Sequence, residues 1–545
     1  MGAGQRWRGG KPGTAAGREG LTLVVSWRWV WGVILALAML CYVMALMGSA
    51  WCRWGGLVGS LHQASAAALG HRGRSGATGD NVAVAIARAE GAAVDMMRWE
   101  GDVRDLVVAW NRLCYGSRPP VSLQIALFVK KWPTGGTPGG LERHAMTLHR
   151  VLADRGHGVH VFTMRQPGAT TADADEEVEE ERQHPNLHLH FVEPNSGGGF
   201  DHSRAWERFS AVNATRAFDI VHSESVALPH WRAHDFVNLV ASWHGIAFEV
   251  IHSDIVQDLI RKPGETRTLE LEHSMTGRLM RIADEVRFFP SYRHHVATSD
   301  YVGDVLRTIY ELPLRNVHII LNGVNEQEFR PNPAAGAAFR AKYGVPENAS
   351  LVLGAAGRLV RDKGHPLLFE AFSEIIKRHK DVYLLVAGSG PWGERYEELA
   401  PYARTLGPLT PTQLAEFYNA VDIFVNPTLR SQGLDHTLLE AMQCGKPLLA
   451  THFSSIVMSV ITDKKFGYTF SPNVDSLITA LESVVQDGKT QLRIKGQTCL
   501  AYASRMFTAK KMASAYERLF LCMTDESFCL YPLPSDLPEC SSSSS

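Results

Sequence analysis

The sequence predicts an α/β protein: two doubly wound parallel sheets facing across a cleft, preceded by an N-terminal transmembrane helix. Three observations carry that prediction. Apolar strand-like runs alternate with helical segments from residue 122 to 245. A second series with the same alternation runs from 350 to 451, after a break near residues 322–335. Alternation with short punctuated connections is the pattern of βαβ units, which close into parallel sheets. Third, residues 30–51 contain no charged side chain, enough to cross a bilayer as a helix.

Taken in order, residues 1–29 read as a cytosolic tail, because Arg6, Arg8, Lys11, Arg18 and Arg28 stand against the single acid Glu19. Residues 30–51 then form a signal anchor. A cleaved signal peptide is the competing reading, since Gly48-Ser49-Ala50 has small residues at the right spacing. Both readings put the body in a lumen, and the anchor type suggests a Golgi membrane, single-pass type II, with a lumenal body. Sequons at Asn213 and Asn348 agree with that expectation. Residues 52–118 form a Gly-, Ala- and Ser-rich stem and an amphipathic helical region. In the latter, Val82, Ala85, Ile86, Ala89, Met96, Met97, Trp99, Val103, Leu106, Val107 and Trp110 recur at helical spacing. It packs on the body or on a partner, which leaves homo- or hetero-oligomers open.

The first series has strands at 123–129, 158–164, 187–193, 218–224 and 237–245, with helices over 141–157 and 203–217. The acidic stretch 173–181 is a solvated loop. The second series has strands over 350–359 and 382–390, helices at 365–378, near 392–403 and at 411–420, and an apolar patch ending at 406–409. Its last part, 422–451, is the most specific stretch of the chain. Strand Ile423-Phe424-Val425 enters an irregular loop, a short helix carries Glu440 and stops at Gly445, and a second apolar strand follows. A helix N-terminus at the carboxyl end of a strand suits an anion such as a diphosphate. A carboxylate on that helix can accept hydrogen bonds from the vicinal hydroxyls of a ribose. A helix from Ala509 to Phe520 packs back on the first half, and residues after Cys529 read as disordered.

Composition excludes several classes. Lys plus Arg (55) cancels Asp plus Glu (56), and no basic block with interleaved aromatics occurs, so nucleic acid is not an expected partner. Eight cysteines do not make a disulfide scaffold, although Cys522, Cys529 and Cys540 cluster closely enough for one bridge. No C-x-x-C pair or H-E-x-x-H motif occurs, and no metal site is predicted.

An ordered set of motifs then stands out: Gly139-Gly140, Trp243-His244-Gly245, ATSDYV (297–302), LNGVN (321–325), GRL…KG (357–364), AGSGP (387–391) and LLEAMQCGKP (438–447). In this order they resemble the retaining glycosyltransferases of family four (glycosyl transferases group 1), here as a plant-like, membrane-anchored member. The resemblance spans roughly residues 122–520. It implies the GT-B fold, with a Rossmann-like acceptor domain over 119–325 and a Rossmann-like donor domain over 326–505. A returning helix over 506–530 and a tail over 531–545 complete the chain.

Carried over by position, the resemblance makes Arg358 and Lys363 the pair that binds the donor diphosphate and stabilises it as a leaving group. Two fixed cations suit charge that grows on phosphate oxygens as the glycosidic bond breaks. Gly139 and Gly140 match the loop that approaches the phosphate, where glycine lets the backbone come close. His244 faces the transferred sugar, and Glu440 matches the ribose-binding carboxylate. Gly407 and Leu409 match the segment that reads the base, while Gly357, Leu434 and Asp435 complete the donor-facing set. One position departs: the family places two glutamates eight apart, and the first of them is Gln432 here. An amide brings no negative charge to an emerging oxocarbenium, although Asp435 in the same loop is a substitute.

The expected activity is transfer of a sugar, with retention, from a nucleotide diphosphate sugar to an acceptor hydroxyl of a glycan, protein or lipid in the secretory lumen. No cofactor or metal is expected besides the donor. Two alternatives stay open at this point: a catalytically silent GT-B module that binds glycan or acts as a scaffold, and another GT-B enzyme such as a nucleotide-sugar epimerase.

Overall fold

The computed structural model describes residues 99–133, 139–165, 184–262, 264–431 and 433–536. The anchor expected at 30–51, the stem, residues 81–98, the acidic stretch 173–181 and Gln432 lie outside the described residues. No helix among the described residues is long and apolar enough to cross a membrane.

The strands, in chain order, are β1 (Gly101–Asp102), β2 (Gln124–Lys131), β3 (Gly158–Met164), β4 (Leu187–Val192), β5 (Ile220–Glu224), β6 (Leu239–Trp243), β7 (His294–Ala297) and β8 (Val317–Ile319). There follow β9 (Leu351–Ala356), β10 (Val382–Ala387), β11 (Ala403–Gly407), β12 (Ile423–Asn426), β13 (Leu448–Thr451), β14 (Gly467–Phe470) and β15 (Leu530–Tyr531). One parallel sheet has the order β4-β3-β2-β5-β6-β7-β8, the other β11-β10-β9-β12-β13-β14. This is the expected α/β architecture of two doubly wound, Rossmann-like lobes, the GT-B arrangement.

Both sheets are buried on both faces, as parallel sheets with helical crossovers require. In β2, Ile125, Leu127 and Val129 point into one apolar cluster while Ala126 and Phe128 point into another. In β9, Leu351, Leu353 and Ala355 face one way and Val352 the other. Alternation of side chains along a strand produces this division. The helix Ala509–Thr524 lies against Gly140–Asp154, and its Met512, Tyr516, Leu519 and Phe520 are buried in the cluster of Ile125 and Leu127.

The chain passes between the lobes at two adjacent points. The Val324 N–H donates to Phe507 O at 2.9 Å, and the Ala509 N–H donates to Val324 O at 2.9 Å. Asn111 ties both points together, donating to Leu321 O at 3.1 Å and Met506 O at 3.0 Å and accepting from the Leu321 N–H at 2.7 Å.

That contact corrects the amphipathic-helix expectation for residues 99–114. They form β1 and two short 3-10 turns, Val103–Asp105 and Trp110–Arg112. Their apolar side chains follow the surface of the first lobe: Val103, Leu106, Trp110, Leu113 and Tyr115 are all buried in its core. Burial against a fixed surface here overrides the local 3.6-residue periodicity. The expected disorder after Cys529 is corrected too. The β15 residue Tyr531 pairs with Gly101 of β1, and Asp536 is buried in an ion pair with Arg518. Residues 537–545 lie outside the described residues. A Cys522–Cys529 disulfide closes this region, and Cys444 and Cys499 are free.

Candidate active site

In a doubly wound sheet, ligands bind beyond the carboxyl ends of the strands, where the strand order reverses. The reversals fall between β2 and β5 in the first lobe and between β9 and β12 in the second. Loops from those ends meet around a cavity of about 590 Å³. Of the residues singled out from the sequence, Gly139, Gly140, His244, Gly357, Arg358, Lys363, Leu434 and Asp435 all line it. A smaller adjoining pocket of about 260 Å³ shares Gly139, Gly357 and Arg358 and is walled by Ala387, Pro408, Leu409 and Leu414. Gly407 and Glu440 line neither. Gln432 lies outside the described residues, so its side chain is not placed.

Local structure explains the convergence. Gly139 is the N-cap of the helix Gly140–Asp154 and lines the cavity, and it offers no side chain to cap the N–H groups of the first turn. A second helix, His436–Gln443, starts at the cavity with Asp435 as its N-cap. Lys363 ends a 3-10 turn closed by Gly364 at φ +78°, where a Cβ would meet Pro427 O at 1.7 Å; only glycine fits that turn. Ser225, at the end of β5, also lines the cavity and holds a positive φ of 53°, a strained conformation for a side chain other than glycine.

Charges in the site are paired with one another. Lys363 Nζ donates to Asp435 Oδ2 at 2.8 Å, and Asn426 Nδ2 donates to the same oxygen at 3.2 Å. The Thr437 N–H and Oγ1 donate to Asp435 Oδ1 at 3.2 and 2.9 Å. Burial pushes the Asp435 carboxyl up, but Lys363 and the Thr437 bonds outweigh it and hold it below the usual carboxylate range. Arg358 and Arg430 both approach Asp362 Oδ2, at 3.7 and 3.4 Å. Arg143 Nη1 donates to Glu440 Oε1 at 2.5 Å, and Tyr418 OH donates to Glu440 Oε2 at 2.8 Å. Burial raises the Glu440 pKa despite Arg143.

The lobes touch around the cavity. The Gly433 N–H donates to Glu249 Oε1 at 3.0 Å, the Ser431 N–H to Ser253 Oγ at 3.0 Å, and Asn322 Nδ2 to Leu434 O at 3.1 Å. Burial lifts the Glu249 pKa to about 7; the Gly433 and Ile246 N–H groups pull it down and the nearby Glu285 pushes it up.

Below His244 the first lobe contains a buried carboxylate. His244 Nε2 lies 2.6 Å from Glu224 Oε2, and Glu224 is fully buried at the end of β5. Sequence reading missed Arg143, Glu224, Thr298, Asn322 and Arg430. Two of them carried a signal. Arg143 lies one helical turn after Gly140, on the same face, and Glu224 is the lone acid closing an otherwise uncharged buried strand segment, Ile220–Glu224.

Comparison with known proteins gives the same two-part division. The family described as "Glycosyltransferase Family 4" matches residues 138–328, and "Glycosyl transferases group 1" matches 350–487. A D-inositol 3-phosphate glycosyltransferase of Kribbella flavida is 26% identical over 421 residues, covering 70% of this chain and 92% of that protein. An uncharacterised glycosyltransferase of Methanocaldococcus jannaschii is 23% identical over 380 residues, covering 67% of this chain and 90% of its own length. Among solved structures, sucrose-phosphate synthase from Thermosynechococcus elongatus superposes with a TM-score of 0.56 at 19% identity, covering 73% of this chain and all of that one. At that identity the likeness shows the fold alone. Relatives of this bacterial and archaeal kind overturn the expected Golgi, single-pass type II placement. Nor is the glycoprotein expectation supported: Asn213 lies within the helix His202–Thr215 and accepts a hydrogen bond from the Phe218 N–H at 3.0 Å.

Proposed function

Because the chain belongs to the group 1, family 4 glycosyltransferases and is a transferase, we propose that it moves a sugar from a nucleoside diphosphate sugar to an acceptor hydroxyl with retention of configuration. The single observation carrying this reading is the convergence of Gly139, His244, Arg358 and Lys363 on one cavity between the two lobes. The adjoining pocket walled by Leu409 and Leu414 takes the base, and Gly407 sets the backbone turn beside it. The diphosphate lies between the N-terminus of the helix Gly140–Asp154 and the side chains of Arg358 and Lys363.

As the glycosidic bond breaks, its electron pair moves to the diphosphate oxygen, and the two cations stabilise the charge that develops there. The acceptor attacks from the face the phosphate leaves, and the departing phosphate takes the acceptor proton. His244, oriented by Glu224, contacts the sugar at the opposite wall. In the donor complex Lys363 exchanges Asp435 for phosphate, and Glu440 meets the ribose only where Arg143 yields it. The Kribbella relative is named for D-inositol 3-phosphate, so a phosphorylated polyol belongs among the acceptors tried.

The test is incubation of the purified chain with UDP-, GDP- and ADP-sugars and a panel of polyol and glycan acceptors, with released nucleotide as the readout. Acceptor-dependent release that Lys363→Ala abolishes while donor binding persists supports the reading. Unaltered turnover in Lys363→Ala removes its basis.

A further inference from the structure

We propose, on the strength of the transferase reading, that the helix Ala247–Leu259 of the first lobe positions the loop 431–434 of the second, with Glu249 and Ser253 as positioning residues for the transferred sugar. Gly433 and Leu434 of that loop line the cavity beside Asp435. Among the described residues, the hydrogen bonds of Ser431, Gly433 and Leu434 all run to the first lobe. The Gly433 N–H donates to Glu249 Oε1 at 3.0 Å, and the Ser431 N–H donates to Ser253 Oγ at 3.0 Å. Ser431 Oγ donates to Glu249 O at 3.0 Å, and Asn322 Nδ2 donates to Leu434 O at 3.1 Å. A loop of one lobe thus takes its shape from the other.

Burial gives those bonds their force. Glu249, Ser253 and Ser431 are almost inaccessible to solvent. A buried N–H that loses its acceptor keeps its full desolvation cost, so the loop backbone is held to one position. Glu249 and Ser253 stand one helical turn apart on one face. The next residue along that face, Val256, is buried in the apolar cluster of Leu351, Leu353 and Leu384, so the face docks on the second lobe as a unit. Both anchors are themselves fixed. Glu249 Oε2 accepts from the Ile246 N–H at 3.3 Å, and Ser253 Oγ donates to Glu249 O at 3.1 Å.

The loop borders the space between the diphosphate cations and His244. At one end Asp435 meets Lys363. At the other, Gly433 holds φ +49°, and a Cβ there would lie 3.2 Å from His244 O, so the loop backbone rests against the strand end that carries His244. A sugar extending from the diphosphate toward His244 passes along this loop. Arg358 and Lys363 belong to the second lobe and have their partners Asp362 and Asp435 within it, so these cations stand in place without the helix Ala247–Leu259. The sugar wall does not. It is complete only while the helix is docked, and a loop displaced by as little as about 1 Å leaves the nucleotide bound but the sugar poorly oriented for transfer.

The test compares the full chain with Glu249→Ala, Glu249→Gln and Ser253→Ala. Hydrogen–deuterium exchange of the ligand-free protein reads the loop directly. The Ser431 and Gly433 amides are expected to exchange about tenfold faster in Glu249→Ala, and the Ser431 amide faster in Ser253→Ala. Acceptor-dependent turnover in Glu249→Ala falls about 10²-fold, while UDP and GDP binding measured by calorimetry is unchanged. Glu249→Gln, which keeps one acceptor oxygen, falls between wild type and Glu249→Ala. Wild-type exchange at both amides in Glu249→Ala overturns the proposal. So does wild-type turnover in that variant, or nucleotide affinity that drops in step with turnover. Should Glu249→Ala fail to fold by circular dichroism, Ser431 exchange and turnover in Ser253→Ala decide the matter. A wild-type chain that turns over no donor counts against the transferase reading alone, because exchange measures the anchoring with no donor present.

Discussion

Arg143 of the first lobe and Glu440 of the second form a 2.5 Å ion pair across the cleft. Glu440 is 2% exposed and Arg143 19% exposed, so the pair is shielded on the acidic side and partly wet on the basic side. Breaking a buried pair by removing one partner leaves an uncompensated charge. Arg143→Ala is expected to lower stability by about 2 kcal/mol, on the low side for such pairs because Arg143 retains some solvent. Adding Glu440→Gln should recover part of that loss. Urea unfolding of the single and double variants checks both, and an unchanged midpoint in Arg143→Ala would show the pair to be energetically silent.

Lys363 and Asp435 set up a competition. On the proposed function, a donor phosphate takes Lys363 from the Asp435 carboxylate, which Lys363 contacts at 2.8 Å. Asn at 435 keeps the helix N-cap but removes the charge. An ion pair of this exposure is worth up to about 1 kcal/mol, so Asp435→Asn should tighten nucleoside diphosphate binding about fivefold. Calorimetric titration with UDP and GDP measures it, and weaker binding would mean that Asp435 orients Lys363 for phosphate instead.

On the proposed function, turnover depends on the two cations. Arg358→Ala and Lys363→Ala are each expected to reduce kcat by about 10²-fold or more, the usual loss when a donor aimed at developing charge is removed. The larger effect is expected at Lys363, which is the less exposed of the two. Comparable kcat in all three proteins would relocate the diphosphate.

Glu249 gives stability a pH dependence. Its folded pKa of about 7 lies above the ordinary value of 4.5, so the folded state binds the proton more tightly. The stabilisation is fully present below pH 4.5 and is lost as pH rises through 7. The melting temperature of Glu249→Gln should therefore fall less than that of the wild type between pH 5 and 8. A constant difference between the two across that range would remove the argument.

Near the C-terminus, Arg518 is 5% exposed and its carboxylate partner Asp536 is fully buried. Asp536→Ala is expected to destabilise the first lobe by about 3 kcal/mol, because a buried guanidinium loses its counter-charge. Thermal unfolding reads this directly, and a loss below the error of the measurement would show that water or another group compensates.

Much of this architecture can be read from the chain because the strands that frame the cleft are also its most apolar runs. The cores of β2 (Ile125–Val129), β9, β10 and β12 are continuous hydrophobic segments. β7 and β8 were invisible for the opposite reason. They are short, and His294, His295 and His318 interrupt their apolar character. The helices Ala247–Leu259 and Leu269–Phe288 were missed as well, and the first of them carries Glu249 to the second lobe. Loop residues at strand ends were legible through the ordered motifs that resemble the family. What was not legible is how charges are shared: Asp435 on Lys363 and Arg143 on Glu440 are separated by 72 and 297 residues, and no local pattern reports such pairings.

Gly101 and Tyr531 face each other in the short antiparallel ladder, so the outermost described elements meet at one edge of the protein. A brief linker can therefore bridge them, and new ends can be opened at the exposed Glu347-Asn348 loop before β9. A circular permutant of this kind would begin with the second lobe and finish beside it. It would retain every pairing within the two parallel sheets while reversing the order in which they leave the ribosome.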